Sequence, residues 1–343
     1  MEMTSRERVK TALKREEADR VPVCEINVDR AFAEKLEGAK SLVGNAALQT
    51  GNPFSLEEAH ILSDTLGLDN LFYILRQPVY AHMHEGKDGR LFPGDGMIKT
   101  DADLAMIDLP DPTKDELYAE AEEFAKNKGD RALFFVTRGG LAPAMLCMGF
   151  DHFSMTLYDN PKLAETLITT YFDWLIEVAK KVTQLDFDLF CTADDCAFKT
   201  GPMLSPQMYR ELIAPHYARM KKELDIPWLF HSDGNIMDIV PILIEVGVNA
   251  VHPFENTAMD IRAAKKAFGN QICIVGNVDL NLLGGDEPDA VDNEIRELVR
   301  DLAPGGGYIV CSGNSLAGYL KPECVLAYVK AVKKYGRYPL GGN

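Results

Sequence analysis

The sequence predicts an α/β fold, a (β/α)8 TIM barrel, from three observations. Eight short apolar runs rich in β-branched and aromatic residues recur along the 343 residues, and amphipathic helical patterns alternate with them. The runs are continuously apolar, as is typical of parallel strands covered on both faces. Eight βα units in a chain of this length favour a closed barrel. A doubly wound open sheet is the alternative, but no G-x-G-x-x-G follows the first run.

Each predicted strand is a run of about seven residues bounded by polar or turn-forming residues. The first is "RVPVCEI" and the last is "GYIVCSG". In chain order the predicted strands cover 20–26, 68–74, 131–137, 188–194, 226–233, 249–255, 272–279 and 307–313.

The predicted helices carry capping and stop signals. Thr4 or Ser5 can cap an N-terminal helix that precedes the first strand. The clearest pattern begins with Asn160 as a cap and Pro161 at the first helical position. Further helical patterns cover 205–224, 234–247, 289–303 and 321–336.

Residues 76–115 do not fit the alternation of strands and helices. Lys87-Asp88-Gly89 lies between two alternating runs, which predicts a β-hairpin insertion near the barrel mouth. No repeat, low-complexity tract or linker divides the chain, so we predict one domain over residues 1–343.

Composition narrows the partners and the compartment. The net charge of −16 argues against binding to nucleic acid, which requires a basic surface. The charged N-terminus has no signal-peptide core, and no apolar run approaches the ~20 residues of a membrane helix. Seven cysteines without a framework spacing indicate a reduced protein. We therefore expect a cytoplasmic protein without membrane contact; the sequence is silent on oligomeric state, and a homodimer stays open.

Polar and ionisable residues follow nearly every predicted strand. In barrels of this kind the active site lies at the carboxyl ends of the strands, so these residues would face one another across the mouth. The candidates are Glu25, Asn27, Asp194, Asp195, His231, Asp233, Glu255, Asp279, Cys311 and Asn314.

Imidazole, thiol and carboxylate are the ligands that zinc prefers. His231 and Asp233 are two residues apart and point the same way on a strand. We predict them as ligands together with Cys311 from the last strand, and Glu255 as a fourth ligand or a group that holds one in place. The structural alternatives are a hydrogen-bonded strand-end histidine, an aspartate that turns the chain, and a buried apolar cysteine.

The chain resembles the uroporphyrinogen decarboxylase superfamily along nearly its whole length. The resemblance rests on "TSRERVKTALKREEADRVPV", "GPMLSPQMYRELIAPHYARM", "HSDGNI", "VHPFENTAMDI", "IVGNVDLNLL" and "GGGYIVCSGNSL", which follow in the expected order and spacing. It implies a (β/α)8 barrel with its active site at the carboxyl-terminal mouth.

The resemblance implies one of two activities. Uroporphyrinogen decarboxylases carry an arginine-rich stretch after the first strand, whereas residues 25–30 here contain only Arg30. A substrate with eight carboxylates needs several cationic partners, which disfavours that activity. The other branch is the zinc-using, cobamide-dependent methyltransferases, whose members acting on coenzyme M bind zinc through a His-x-Cys pair and a late cysteine. His231 and Cys311 match that pattern, and Asp233 departs from it.

A carboxylate in place of a thiolate makes the ligand set harder, which suits an ether or amine donor better than a thiol. We therefore predict transfer of a methyl group from a small methylated donor, a phenyl methyl ether by preference, to the Co(I) corrinoid of a partner protein. Zinc would be the Lewis acid. Asp194, Asp195 or Glu25 would orient the substrate or supply a proton, and Asn27, Asp279 and Asn314 would contact the substrate.

Several alternatives remain open at the level of sequence. Methylamines, betaines and methyl thiols are other donors, and a thiol is another acceptor. The chain has no corrinoid-binding D-x-H-x-x-G stretch, so the corrinoid would come on a partner. A decarboxylase of the uroporphyrinogen type and a non-catalytic binding protein are the competing functions.

Overall fold

The computed structural model of the protein describes residues 2–36, 50–86 and 91–340. Seven strands form one parallel sheet in the order β1-β4-β5-β8-β9-β10-β11, and two antiparallel hairpins accompany it. In chain order the strands are β1 (Asn70–Ile74), β2 (Ala81–Glu85), β3 (Leu91–Gly96), β4 (Ala132–Arg138), β5 (Leu189–Ala193), β6 (Ala197–Phe198), β7 (Gly201–Pro202), β8 (Trp228–His231), β9 (Ala250–His252), β10 (Cys273–Val275) and β11 (Tyr308–Ile309).

The first predicted strand lies between β11 and β1 and completes the barrel. Val23 pairs with Val310 as a single parallel bridge, and Cys24 N donates to the Val310 carbonyl at 3.0 Å. On the other side, Asp69 N donates to the Val23 carbonyl at 2.8 Å. Pro22 has no N–H to extend the ladder, which explains why this segment forms a bridge rather than a regular strand. The predicted barrel is confirmed, with its first strand reduced to this bridge.

The helices alternate with the strands and cover the barrel. Thr4 caps α1 through a reciprocal capping box with Glu7, and Asn160 caps the long helix α7, whose first residue is Pro161. The helices are α1 (Ser5–Leu13), α2 (Arg30–Ala33), α3 (Leu56–Leu66), α4 (Ala119–Asn127), α5 (Leu141–Met148), α6 (Phe150–Asp159), α7 (Pro161–Val182), α8 (Pro206–Met208), α9 (Ala214–Glu223), α10 (Val240–Glu245), α11 (Ile261–Phe268), α12 (Leu280–Leu283), α13 (Pro288–Leu302) and α14 (Pro322–Tyr335).

Three short helical segments within the described residues have other geometry. They are 3-10 turns at Asp101–Met106 and Asp115–Tyr118 and a π-helical turn at Tyr209–Ile213. None of the described helices is both long and apolar enough to cross a membrane.

The predicted insertion is an antiparallel hairpin of β2 and β3, and its predicted turn at 87–89 lies outside the described residues. The hairpin packs on α5, the helix that follows β4 at the mouth. Ile98 N donates to the Cys147 carbonyl at 2.8 Å, and a Cβ on Gly96 would lie 2.2 Å from Gly149 N. The position near the mouth agrees with the prediction, whereas one domain over 1–343 stays a prediction.

A second hairpin, β6–β7, follows β5 directly and was not predicted. It lies over the loop that leaves β8, because Asn235 N donates to the Phe198 carbonyl at 2.7 Å. Gly234 has a φ of +80°, and a Cβ there would lie 2.3 Å from the Ala197 carbonyl oxygen. Only glycine therefore fits between the hairpin and this loop.

Strand register places four residues at one level of the barrel mouth. Arg138 pairs with Ala193, Ala193 with His231, and His231 with His252. Partners across parallel strands present their side chains on the same face of the sheet. Arg138, His231 and His252 therefore share one face at the carboxyl ends of three strands.

Candidate active site

Three potential metal ligands converge at the end of β8. His231 Nε2 lies 3.7 Å from Asp195 Oδ1 and 3.8 Å from Asp233 Oδ1, and one ligand atom from each residue lies within 4.8 Å of the other two. Asp195 belongs to this group because it lies two residues after Ala193, the register partner of His231. The residues of β5 that precede Asp195 therefore set the direction of its carboxylate.

A chain of hydrogen bonds fixes the orientation of the His231 ring. His252 Nε2 donates to the Ser312 carbonyl at 3.0 Å, and burial, together with the nearby His231, lowers the pKa of His252 well below its usual range. Neutral His252 then has its lone pair on Nδ1, which lies 2.7 Å from His231 Nδ1. His231 must donate there, so its other nitrogen, Nε2, presents a lone pair to Asp195 and Asp233 when the ring is neutral.

One carboxylate oxygen of Asp233 accepts a hydrogen bond, and the other has no hydrogen-bond donor. Its Oδ2 accepts from Asn314 Nδ2 at 2.6 Å, whereas its buried Oδ1 has no hydrogen bond. Burial raises the pKa of Asp233 to about 6, and the charges of Asp195 and Glu255 add to that increase, whereas His231 opposes it. A buried acceptor without a donor is costly, and a cation would satisfy it.

The spacing of these atoms suits a divalent ion. Bonds of ~2.0–2.1 Å in a tetrahedral site place neighbouring ligand atoms roughly 3.3–3.5 Å apart. The 3.7 and 3.8 Å separations from His231 Nε2 exceed this spacing by tenths of an ångström, and the carboxylate oxygens of Asp195 and Asp233 lie within 4.8 Å of each other, so they would have to move closer around an ion. No proton can bridge either pair at this separation, because hydrogen bonds between nitrogen and oxygen require about 3 Å.

Glu255 supports the loop that carries Asp233. Its Oε2 accepts from Gly234 N at 2.8 Å and its Oε1 accepts from Thr257 Oγ1 at 2.8 Å, with Lys199 at 3.7 Å. Burial would raise the pKa of Glu255, but these donors together lower it. Glu255 is not in the group of three, and its contacts correspond to the second of its two predicted roles, that of holding a ligand in place.

Cys311 lies in a separate buried group. Its Sγ donates to Glu25 Oε2 at 3.5 Å, and that carboxylate also accepts from Ser312 N, Ser312 Oγ and Tyr328 Oη. Burial raises the pKa of Cys311 well above its usual range, so it is a thiol rather than the thiolate that metals bind. The structure does not bring Cys311 into the group with His231; Asn314, three residues later, reaches Asp233 instead.

Glu25 has the environment of a structural carboxyl group. It is fully buried, and burial raises its pKa to about 7 despite four hydrogen bonds that favour the charged form. The folded state therefore holds this proton more tightly than the unfolded state, whose carboxyl titrates near 4.5. The contribution of Glu25 to stability is greatest below pH 4.5 and is lost as pH rises to about 7.

The variant Glu25→Gln tests this effect through its pH dependence. A shift from 4.5 to about 7 corresponds to about 3 kcal/mol at most. We expect the stability of the variant, relative to wild type, to improve by up to that amount between pH 4 and pH 8. Urea unfolding at both pH values measures the difference, with the exposed Glu34→Gln as control. A constant difference across this range would contradict the burial of a titrating carboxyl at Glu25.

Asp194 faces away from the group that contains its neighbour Asp195. Its carboxylate accepts from Ala142 N and Leu141 N at the start of α5 and from Tyr217 Oη, so it caps that helix. It is fully buried, and burial raises its pKa to about 6. A Cβ on Gly139 would lie 2.1 Å from Asp194 Cγ, so glycine is required for this approach. These contacts describe a structural role, and the catalytic role of Asp194 stays a prediction.

Of the three residues predicted to contact the substrate, Asn314 lies beside the group of Asp195, His231 and Asp233, whereas Asp279 and Asn27 have other contacts. Asn314 contacts Asp233, as described above. Asp279 caps α12 through Asn281 N at 2.8 Å, and the Asn27 carbonyl accepts from Leu316 N at 3.2 Å. Among the described residues, neither Asp279 nor Asn27 belongs to the group formed by Asp195, His231 and Asp233.

The list of candidate site residues omitted His252, which contacts His231, and two arginines at the mouth, Arg76 and Arg138. His252 was signalled by its place two residues after the start of a short strand, at the same level as His231. Arg138 was visible as the last residue before Gly139-Gly140, and Arg76 as a cation directly after an apolar run.

Solved structures share this fold. A methyltransferase from Methanosarcina mazei superposes with a TM-score of 0.71 at 19% identity, over 97% of this chain and 99% of that one. A B12-independent methionine synthase from a Shewanella species superposes with a TM-score of 0.56 at 12% identity, over 92% and 96% of the two chains. At these identities the likeness concerns the fold alone.

Curated relatives are similarly distant. A methylated-thiol--coenzyme M methyltransferase of Methanosarcina mazei is 23% identical over 187 residues, which cover 54% of this chain and only 48% of that protein. A uroporphyrinogen decarboxylase of Alkalilimnicola ehrlichii is 22% identical over 97% of this chain and 94% of its own length. The model of the uroporphyrinogen decarboxylase (URO-D) family matches residues 94–335, more than two thirds of the chain. The chain therefore belongs to the uroporphyrinogen decarboxylase (URO-D) family.

Proposed function

We propose that this protein is a zinc-dependent methyltransferase that moves a methyl group from a small methylated donor, a phenyl methyl ether by preference, to the Co(I) corrinoid of a partner protein. The observation that carries the proposal is the convergence of His231 Nε2, the unpartnered Asp233 Oδ1 and Asp195 Oδ1 at the barrel mouth. In this ligand set Asp195 takes the place predicted for Cys311.

Bound zinc would supply a Lewis acid at the heteroatom that leaves the methyl group, and the reduced corrinoid of the partner would supply the electron pair for the new methyl bond. The residues of the chain would hold the metal and orient its ligands. His231, Asp233 and Asp195 would bind the metal. His252 fixes the orientation of the His231 ring, and Asn314 fixes the Asp233 carboxylate. Glu255 holds the backbone of the loop through Gly234.

The donor atoms support an ether rather than a thiol as the donor. One nitrogen and two carboxylate oxygens form a hard ligand set without sulfur. A hard set leaves more positive charge on the metal, which favours coordination of an ether or phenoxide oxygen. The methyltransferase names of two relatives support methyl transfer, and the relative whose name specifies a methylated thiol matches only about half of its length.

Asn314 offers a test of how the metal ligands are positioned. Asn314→Ala removes the only hydrogen bond described for Asp233 Oδ2, so this carboxylate loses its orientation. We expect zinc affinity to fall by ~10–100-fold, the usual cost of removing such a partner. Competition with a fluorescent chelator measures the affinity, and the exposed Asn293→Ala is the control. Unchanged affinity would show that Asn314 does not position a ligand.

The activity itself is testable with free cob(I)alamin as the methyl acceptor. The full-length protein, loaded with zinc, is incubated with a panel of methoxyarenes, methylamines and methyl thioethers, and methylation of the cobalt is followed by absorbance. We expect methoxyarenes to react and the chelator-treated protein to be inactive. Reaction that is independent of zinc would overturn the proposal.

A decarboxylase of the uroporphyrinogen type is the second candidate function, because the chain belongs to the family of that name. The specific observation in its favour is the pair of arginines at the mouth, since a polycarboxylate requires cations. Turnover of uroporphyrinogen by the metal-free protein would establish it. A protein that binds neither zinc nor a corrinoid partner would instead support the non-catalytic alternative.

A further inference from the structure

Two arginines lie side by side at the mouth, on neighbouring strands. Arg138 ends β4, and Arg76 follows β1 by two residues. Ile74 pairs with Val136, Leu75 N donates to the Val136 carbonyl at 3.1 Å, and the charge of Arg76 acts on Arg138, so the two arginines lie close together near the level of Arg138. Because Arg138, Ala193 and His231 are register partners, this level is that of the metal ligands.

Gln77 braces this pair. Its Nε2 donates to the carbonyls of Arg138 at 3.4 Å and Gly139 at 3.3 Å, and its own carbonyl accepts from Arg138 Nη1. Arg76 N donates to the Thr50 carbonyl. The two guanidinium groups are therefore attached to a well-braced part of the mouth rather than to a free loop.

The Arg76 guanidinium lacks a hydrogen-bond partner at Nε, which is shielded from solvent. Within the described ranges, no ion pair joins Arg76 or Arg138 to a carboxylate, and Arg138 Nη1 donates only to the Gln77 carbonyl. Other arginines of the barrel behave differently, because Arg20 pairs with Asp69 at 2.8 Å and Arg30 with Glu58 at 2.9 Å. An enclosed cation without an anion retains an uncompensated desolvation cost.

The two positive charges also repel each other. Burial lowers the pKa of Arg138 to about 10, and the neighbouring charge of Arg76 adds to the decrease. Burial lowers the pKa of Arg76 as well, with partial compensation from Cys191, Asp195 and Asp29. An anion placed between the two guanidinium groups would remove both the repulsion and the missing hydrogen bonds.

The position of this pair limits the size of the ligand. Arg138 and His231 lie two strands apart, which separates their Cα atoms by roughly 10 Å. Both side chains lie on the same face of the sheet, so a ligand that spans the two ends is limited to roughly 10 Å, the size of one small ring with a polar group at each end. Asp195 lies near both the arginine pair and the potential metal ligands, because it belongs to the group with His231 and Asp233 and its charge raises the pKa of Arg76.

We propose that Arg76 and Arg138 bind the carboxylate of the methyl donor, and that this donor is a small aromatic acid with its ether oxygen at the far end of the ring, such as a methoxybenzoate. A planar guanidinium binds a carboxylate through two parallel hydrogen bonds, which also fixes the direction of the ring. The choice of an ether at the other end rests on the proposed function; the anion site does not.

Calorimetric titration of the full-length protein tests the site without any need for turnover. We compare 4-methoxybenzoate with 4-methoxybenzamide, its neutral analogue of the same shape. The wild type should bind the acid at least ~10-fold more tightly, a difference of about 1.4 kcal/mol. Arg76→Gln and Arg138→Gln should each abolish this preference while zinc content stays at the wild-type level. The exposed Arg210→Gln, on the outer surface beside Glu245, should behave as wild type.

Two outcomes would overturn the inference: equal binding of acid and amide by the wild type, or an unchanged preference for the acid in both variants. Should a glutamine variant fail to fold, Arg76→Lys and Arg138→Lys keep the charge but lose the planar fork, and we expect a reduced preference for the acid. A wild-type protein that binds zinc but does not prefer the acid over the amide would reject the anion site alone. A wild-type protein that prefers the acid but binds no zinc would reject the metal centre alone.

Discussion

Replacement of His231 by alanine is expected to abolish zinc binding. The variant removes the only nitrogen of the group and leaves two carboxylates, of which Asp195 is exposed to solvent. The loss of affinity should exceed the ~100-fold that removal of a supporting residue can cost. Metal analysis after gel filtration in zinc-containing buffer, together with chelator competition, measures the loss.

The structural cost of His231→Ala should be separable from its effect on metal binding. His252 Nδ1 loses its donor, and a buried acceptor without a partner costs about 1–3 kcal/mol. We therefore expect a folded protein with a lower midpoint of thermal unfolding. The variant His60→Ala is the matched control, because its ring forms an exposed hydrogen bond with the Asn127 carbonyl, which belongs to α4 rather than to the mouth. Zinc retained at full stoichiometry by His231→Ala would remove the metal assignment.

Asp69→Ala is expected to have the largest effect on stability. The Asp69 carboxylate is buried and accepts hydrogen bonds from Arg8, Arg20 and Ser5 Oγ, and it also accepts from Val23 N at 2.9 Å. It therefore joins α1 to the segment that closes the barrel. Loss of one member of a buried ion pair costs about 3–5 kcal/mol, since the remaining charges lose their compensation.

Chemical denaturation of Asp69→Ala measures that cost. Asp64→Ala is the control, because the exposed Asp64 pairs with Arg131 on the surface and exposed pairs contribute ~0–1 kcal/mol. A difference below 1 kcal/mol between the two variants would show that closure of the barrel does not depend on Asp69.

The sequence predicted the barrel because its signals are local. Apolar runs and helix caps such as Asn160-Pro161 depend on neighbouring residues, and all eight predicted strand positions recur in the structure. The exact strand ends were less predictable. Residues 20–26 form a bridge because Pro22 lacks an N–H and Asp69 replaces ladder partners, which is a contact between distant segments.

The residues of the proposed metal site could be predicted only in part from local sequence signals. His231 and Asp233 were predicted from their spacing of two residues. The choice between Asp194 and Asp195 depends on the register between β5 and β8, which pairs Ala193 with His231 and directs Asp195 inward. Likewise, the predicted strand at 307–313 ends as a regular strand at Ile309, so Asn314 rather than Cys311 reaches Asp233.

The common level of Arg138 and His231 has a consequence for selectivity. Hydrogen bonds between adjacent strands set the separation of Arg138, in the proposed anion site, from His231, in the proposed metal site. The distance between the two proposed sites is therefore fixed by the strands. The position of the methoxy group on the ring should then decide which isomer reacts. Changes in the surrounding loops would alter how fast a substrate enters, while the preference among ortho, meta and para isomers would stay the same.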